Sequence, residues 1–109
     1  MKEPYYAVIF TSLQTDQIEG YSEMAEAMES LAKLQPGYLG IESAKEVVGI
    51  TISYWKTTAD IKNWKANLDH LMAQKIGRDQ WYRWYKVRIC KVEHEYEFHK
   101  DQPLGQKSG

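Results

Sequence analysis

Hydrophobic residues follow two kinds of spacing along this chain. In residues 16–34 and 58–76 they recur every three to four positions, which is the period of an amphipathic helix. Four shorter runs, rich in β-branched and aromatic residues, have the texture of strands: 5–13, 38–44, 49–55 and 85–98. Residues 78–84, ahead of the last run, indicate a further short helical turn or irregular cover. The predicted order is βαββαβ.

That order predicts one sheet with both helices on the same face, an α+β architecture. The third run shows how the opposite face is composed. Its alternation sends Ile50, Ile52 and Tyr54 to one side and the more polar partners to the other, so one face is more apolar. An apolar face without helices to cover it predicts a homodimer.

Local signals predict where the helices begin and end. Asp16 and Glu19 have capping-box spacing for the first helix, and Thr57 and Asp60 have it for the second. Pro36-Gly37 is expected to end the first helix, because proline disfavours helix before it and glycine permits the backbone to reverse.

The last strand-like run changes the side on which its apolar residues fall. One set of alternating residues comprises Tyr85, Val87 and Ile89, and the opposite set comprises Cys90, Val92, Tyr96 and Phe98. Such a change of phase indicates either a bulge or a strand that leaves its own sheet. We favour the second interpretation, with the distal half crossing onto a partner subunit. Residues 1–98 are then one domain, and the polar residues 99–109 are expected to be a flexible tail.

Composition narrows the functional classes. A chain of 109 residues has the size of one domain, and a net charge of -1 gives no electrostatic case for nucleic acid or an anionic membrane. No run is long enough to span a bilayer, and the start lacks the apolar stretch of a signal peptide. The single cysteine, Cys90, excludes an internal disulfide. These features together predict a cytoplasmic protein.

Aromatic residues are unusually abundant, with four Trp and eight Tyr. They are expected either to fill the core and a dimer interface or to line a pocket for a flat ligand. Both interpretations stay open at the level of sequence.

Five short segments, in their order and spacing, resemble the antibiotic biosynthesis monooxygenase domain family. They are YYAVIF at 5–10, PGYLG at 36–40, ISYW at 52–55, Trp64, and WYRWY at 81–85. The resemblance spans nearly the whole chain except the tail. It implies a ferredoxin-like protomer with an antiparallel sheet, pairing into a dimeric α+β barrel with a pocket between helices and sheet. Activities in that family include cofactor-independent oxygenation of quinols and anthrones, and oxidative haem degradation.

The haem-degrading branch of the family is the less expected of the two. The resemblance implies an axial histidine ten residues after Trp64, but Gln74 stands there and is a poor iron ligand. The branch also implies an asparagine on the first strand, which residues 8–10 do not supply. The nearest imidazole, His70, lies one helical turn too early.

The oxygenase branch requires an aromatic slot, a group that accepts the phenolic proton, and exclusion of water, but no cofactor. The candidate catalytic residues are His70, Trp64 and Asn63, with His70 as the base. The candidate substrate-binding residues are Tyr54, Trp55, Asn67 and Trp81. On a straight helix, His70 and the two asparagines fall opposite the apolar stripe, so solvent exposure is the alternative to a place in the pocket.

No metal site is expected. His94 and His99 alternate with glutamates along a strand and tail, a spacing that does not gather ligands on one face. The resemblance to the antibiotic biosynthesis monooxygenases implies a cofactor-independent monooxygenase that acts on an aromatic or quinol-like small molecule with dioxygen. The alternative is a non-catalytic, small-molecule-binding or structural dimer of the same fold, since fold does not determine function.

Overall fold

A computed structural model describes residues 2–73 and 78–101. The elements are β1 Tyr5–Gln14, α1 Tyr21–Lys33, β2 Tyr38–Lys45, β3 Gly49–Trp55, α2 Thr58–Ala73, α3 Arg78–Trp81 and β4 Tyr82–Val92. This is the predicted βαββαβ order, with the predicted short helical turn present as α3. Gln74, Ile76 and residues 102–109, on which parts of the predictions rest, lie outside the described residues.

The four strands form one antiparallel sheet in the order β2-β3-β1-β4. Each helical crossover passes over a strand of the sheet, because β1 and β2 flank β3, and β3 and β4 flank β1. The prediction of an α+β, ferredoxin-like fold is confirmed. Dimer formation stays a prediction.

Two core clusters join the helices to one face of the sheet. The first contains Trp55 of β3, Ala32 of α1, and Ile61 and Trp64 of α2. The second contains Met24 of α1 with Trp81 and Tyr82. Met28 of α1 packs against both clusters, so the apolar stripe of α1 connects them along the helix.

The first helix begins later than its sequence predicted. The expected start at Asp16 is wrong, because α1 starts at Tyr21 after Gly20, whose φ of 82° is left-handed. Two hydrogen bonds hold the preceding turn in another conformation. The Thr15 hydroxyl accepts from the Gln17 N–H at 3.1 Å, and the Thr15 N–H donates to the Trp81 carbonyl at 2.8 Å.

The second helix begins as predicted. The Thr57 hydroxyl accepts from the Asp60 N–H at 3.0 Å and donates to the Asp60 carboxylate at 2.8 Å. The two bonds satisfy one helix-terminal donor and fix the entry into α2 at Thr58. Ile61 and Trp64 of the predicted apolar stripe are buried, as expected.

The last strand starts three residues earlier and ends six residues earlier than predicted, at Tyr82 and Val92. Its end coincides with the first residue of β1, because Tyr5 pairs with Val92, and Pro4 has no N–H with which to continue the ladder. The register shift falls instead at the other end, between Leu13 and Gln14 of β1. Residues 93–99 form no strand, and the proposed exchange with a partner subunit stays a prediction.

Candidate functional site

The helix-facing side of β4 carries an apolar strip without full cover. Its members, called the β4 strip below, are Tyr85, Val87 and Ile89. Register places Val87 opposite Phe10 and Ile89 opposite Val8, and both β1 residues pack against the core clusters under the helices. The strip therefore faces the helical layer, yet its residues are 40–56% exposed. Exposed apolar patches of this kind mark sites for a ligand or a protein partner.

Aromatic rings close one end of the β4 strip. Phe10 stacks on Tyr85 with ring centroids 5.3 Å apart and an interplanar angle of 25°. Tyr82 meets both rings edge-on, at 5.6 Å from Phe10 and 5.7 Å from Tyr85. The three rings offer π faces and edges of the kind that hold another aromatic ring.

A hydroxyl pair lies beside these rings. The Tyr82 hydroxyl donates to the Tyr21 hydroxyl at 3.3 Å. Burial raises the pKa of Tyr82 well above its usual range, and the hydrogen bond to Tyr21 raises it further. Tyr82 therefore stays neutral at physiological pH and acts as a hydrogen-bond donor rather than a base.

Two of the predicted site residues, Trp55 and Trp64, lie together. Their rings stack at 5.8 Å with an interplanar angle of 22°, and Trp55 is 0% exposed. The Trp55 indole N–H donates to the Ser53 hydroxyl at 2.8 Å, so its one polar group is satisfied. Tyr38 meets Trp55 edge-on at 5.8 Å. Val8 of β1 packs against the core cluster that contains this pair, and it pairs with Ile89 of the β4 strip across the sheet.

Asn63 and Asn67 also lie together, on the exposed side of α2. Their amide groups donate to the same Gln35 side-chain oxygen, at 3.1 Å and 3.4 Å. Asn67 donates in addition to the Asn63 carbonyl at 2.9 Å. These bonds connect α2 to the chain that follows α1, which is a positioning role for both amides.

His70 lies on the exposed side of α2. The helix runs unbroken from Thr58 to Ala73. At about 100° per residue, His70 points about 120° away from Trp64 around the helix axis. The imidazole therefore lies at the rim of the helical layer.

Tyr54 and Trp81 lie apart from the stacked tryptophans. Tyr54 is on the other face of the sheet, where Tyr5 meets its ring edge-on at 5.8 Å. Burial, followed by a hydrogen bond to Glu42, raises the pKa of Tyr54 to about 12. Trp81 is buried in the second cluster, and its indole N–H donates to the Glu19 carbonyl at 2.9 Å.

Sequence reasoning did not identify the β4 strip, Phe10 or the Tyr21–Tyr82 pair as site residues. The period-two alternation of Tyr85, Val87 and Ile89 was visible, but alternation alone does not say which side faces the helices. Only the pairing of β4 with β1 supplies that information.

The described ranges contain no group of three or more His, Cys, Asp or Glu residues placed to hold a metal ion. Across the same residues, no helix combines the length and the hydrophobicity needed to cross a membrane.

A close relative in sequence shows which family the chain belongs to, although no protein-family model matches it. YqjZ, an uncharacterised protein of Bacillus subtilis (strain 168), is 45% identical over 100 residues, a match that covers 90% of this chain and 88% of YqjZ.

Solved structures agree in fold at low sequence identity. A candidate antibiotic biosynthesis monooxygenase from Nitrosomonas europaea has a TM-score of 0.61 at 16% identity, over 84% of this chain and 92% of that protein. SnoaB, a cofactor-independent oxygenase from Streptomyces nogalater, has a TM-score of 0.61 at 11% identity, over 96% of this chain and 100% of SnoaB. MhuD, solved with two manganese protoporphyrin IX molecules per active site, has a TM-score of 0.61 at 13% identity, over 83% of this chain and 96% of MhuD. The chain thus belongs to the same family as YqjZ, and its fold is that of the antibiotic biosynthesis monooxygenases.

Proposed function

We propose that this protein is a cofactor-independent monooxygenase that oxidises an aromatic or quinol-like small molecule with dioxygen and works as a homodimer. The observation that carries the proposal is the exposed β4 strip beside the stacked rings of Phe10 and Tyr85. The fold shared with SnoaB supports the same chemistry.

The reaction can balance without a cofactor when the substrate supplies all the electrons. For an anthrone, the ring CH₂ and O₂ give C=O and H₂O, so the carbon loses four electrons and dioxygen gains four. The substrate anion passes the first electron to dioxygen. The protein then has to hold the ring, receive the proton that the substrate loses, and exclude water.

Named residues fit the first two of those tasks. The β4 strip and Phe10 hold the substrate ring, and the neutral Tyr82 hydroxyl, paired with Tyr21, supplies a dipole close by. Trp64, stacked on Trp55, belongs to the core cluster against which Val8 packs, and Val8 is paired with Ile89 of the β4 strip. We retain His70 as the proposed base, acting from the rim, because it is the one histidine on the described helices.

A second copy of this chain covers the sheet face that lacks helices. Ile50 and Trp84 lie on that face at 41% and 45% exposure. The arm, residues 93–98, extends from β4 with Tyr96 at 87% and Phe98 at 84% exposure. The radius of gyration is 16.1 Å, larger than the roughly 13 Å of a compact chain of this length.

The charges of β4 and of the arm support a second copy of this chain on that sheet face. Lys86 and Arg88 project from the same sheet face, since they pair with Thr11 and Ile9 of β1. The arm carries Glu93, Glu95 and Glu97, of which Glu95 hydrogen-bonds with Tyr5 of its own chain and Glu97 pairs with His99 at 2.8 Å. An arm that lies along the partner's β4 brings opposite charges together and buries two aromatic side chains.

Oxygen uptake tests the proposed function. Purified, metal-free protein is expected to consume oxygen with anthrones or hydroquinones faster than the autoxidation blank. Val87→Asp is expected to lower kcat/KM at least about 10-fold, because a carboxylate in the β4 strip repels a substrate anion and an apolar ring. His70→Ala is expected to lower kcat.

The matched control is Val47→Asp, which introduces the same charge at a 73% exposed position of the β2–β3 turn. Its rate is expected to equal that of the unmodified protein. Equal rates for the Val87→Asp and Val47→Asp variants would remove the β4 strip from the site, and unchanged kcat in His70→Ala would remove the proposed base.

A haem-degrading function has less support. The MhuD neighbour binds a metalloporphyrin, but His70 is exposed on an unbroken α2, so the described part of that helix directs no imidazole toward Trp64. Gln74 lies outside the described residues. The described part of the chain therefore does not fit an axially ligated haem.

The remaining alternative is a dimer that binds a flat molecule without reaction. Binding of an anthrone or hydroquinone at the β4 strip, with no oxygen uptake for any of these compounds, would favour this alternative. A haem titration beside these assays is expected to show no Soret shift.

A further inference from the structure

In the part of the chain that the structure describes, the β4 strip has no wall on its outer side. Among the described strands, β4 is at the edge of the sheet and pairs only with β1. Its outer edge therefore presents backbone N–H and C=O groups that no described strand uses. An extended segment added to this edge would lie about 4.8 Å from β4 and would complete the site on its open side.

The arm carries two highly exposed aromatic side chains just beyond a point of attachment to its own chain. The Glu95 N–H donates to the Glu3 carboxylate at 3.1 Å, and the Glu95 side chain hydrogen-bonds with Tyr5. The next three residues include Tyr96 and Phe98, which are 87% and 84% exposed. Burial of these two rings against another surface is favourable.

The arm and β4 have complementary alternating patterns. Lys86 and Arg88 project from the sheet face without helices, and the β4 strip projects from the other face. In the arm, Glu97 stands between Tyr96 and Phe98. Neighbouring residues of an extended segment face opposite sides, so an arm with Glu97 beside the two cations places both aromatic rings beside the β4 strip. The reverse orientation puts a carboxylate among apolar side chains and is disfavoured.

Glu97 can exchange its present partner for a cation of β4. Its carboxylate lies 2.8 Å from the His99 imidazole, and these two side chains are 54% and 55% exposed. The hydrogen bond from His99 lowers the pKa of Glu97, so the carboxylate is charged at physiological pH. An ion pair in solvent contributes little to stability, so its loss costs little when the arm meets a second chain.

We propose that the arm of a second copy pairs with the outer edge of β4, and that the partner's Tyr96 and the partner's Phe98 form the outer wall of the β4 strip. Side chains on one face of a sheet stand roughly perpendicular to it, so the two rings rise beside the strip, across from the helices. They are two residues apart, about 7 Å in a strand, which is the spacing between neighbouring members of the strip.

This wall supplies the exclusion of water that the proposed oxygenase needs and that the described part of one chain does not supply. The inference rests on the proposed homodimer, and it adds that each site is built from two chains. Two-fold symmetry then gives both sites the same wall, because each arm lies against the β4 of the other copy.

Cysteine cross-linking tests which side of β4 the partner's Tyr96 faces. In a Cys90→Ser background, Tyr96→Cys is combined with a cysteine substitution at each member of the β4 strip in turn, and disulfide formation is followed on a non-reducing gel. One of these combinations is expected to give a covalent dimer at least 10-fold faster than Tyr96→Cys combined with Lys86→Cys or Arg88→Cys. The reason is that neighbouring residues of β4 point to opposite sides of the sheet.

The single-cysteine variants are the controls for this experiment, and they are expected to give no covalent dimer. Faster cross-linking at Lys86 or Arg88 would overturn the proposal and leave the homodimer standing. No covalent dimer from any combination would also overturn it. Neither result uses turnover, so it is separate from that of the oxygen-uptake assay.

Thiol reactivity tests whether the arm covers the β4 strip. In the Cys90→Ser background, Val87→Cys is expected to react with iodoacetamide at least 10-fold faster when Tyr96→Ser and Phe98→Ser are also present, because the outer wall is then absent. The matched control is Val47→Cys, at a 73% exposed position of the β2–β3 turn, which is expected to react equally fast in both proteins. Equal rates for Val87→Cys with and without the two serine substitutions would overturn the proposal.

Discussion

Replacing Trp55 with alanine is expected to lower the free energy of unfolding by about 3–5 kcal/mol, the range for large aromatic residues in protein cores. Trp55 is fully buried and stacks on Trp64, so the truncation leaves a cavity between β3 and α2. It also removes the donor that satisfies the buried Ser53 hydroxyl. Urea unfolding at fixed protein concentration measures the loss. The whole free energy of unfolding of a small domain is about 5–15 kcal/mol, so the variant is expected to be close to unfolding at 37 °C.

Leu34→Ala is the matched control. Leu34 follows α1 and is 80% exposed, and the change is expected to cost less than about 0.5 kcal/mol. Similar losses for the two variants would mean that the stacked tryptophans do not form the centre of this core.

A chain that ends at Val92 is expected to lose the dimer. The truncation removes Tyr96 and Phe98, which lie against the partner's sheet in the proposed dimer. Burial of each side chain stabilises the dimer by about 1.5–3 kcal/mol. Two arms per dimer then account for at least about a 1000-fold rise in the dissociation constant. Sedimentation equilibrium of the full chain and the truncated chain measures both constants.

A chain that ends at Phe98 keeps the arm and lacks only residues 99–109, the proposed tail. It is expected to remain dimeric. The double variant Tyr96→Ser/Phe98→Ser in the full chain is expected to dissociate without any change of length. A full chain that is monomeric at high concentration, or a dimer that survives the Val92 truncation, would refute the arm-mediated dimer.

The parts of the fold that sequence predicted well have local causes. β3 occupies the predicted residues because its alternation is unambiguous, and α2 begins where Thr57 and Asp60 cap it. The predicted start of α1 at Asp16 is wrong. Asp16 has cap spacing, but Thr15 bonds to Trp81, which is distant along the chain, and that contact decides the conformation of the turn.

The candidate site was harder to predict because it depends on pairing between distant segments. The sequence predicts Asn63 and Asn67 as polar groups of the pocket, yet both bond to Gln35, a partner that no spacing within α2 reveals. The alternative that exposed these asparagines and His70 to solvent followed from helix geometry and matches their positions on α2. The expectation that Tyr54 and Trp55 line one pocket is wrong, because neighbouring residues of a strand face opposite sides of the sheet.

The most direct test of the proposed function is the source of the oxygen atom in the product. Metal-free protein is incubated with ¹⁸O₂ and an anthrone in unlabelled water, and the quinone is analysed at once by mass spectrometry. A monooxygenase of the proposed kind gives a product about 2 Da heavier, with no label gained in the converse experiment with H₂¹⁸O. An unlabelled product under ¹⁸O₂, or oxygen released quantitatively as hydrogen peroxide, would contradict monooxygenation by this protein.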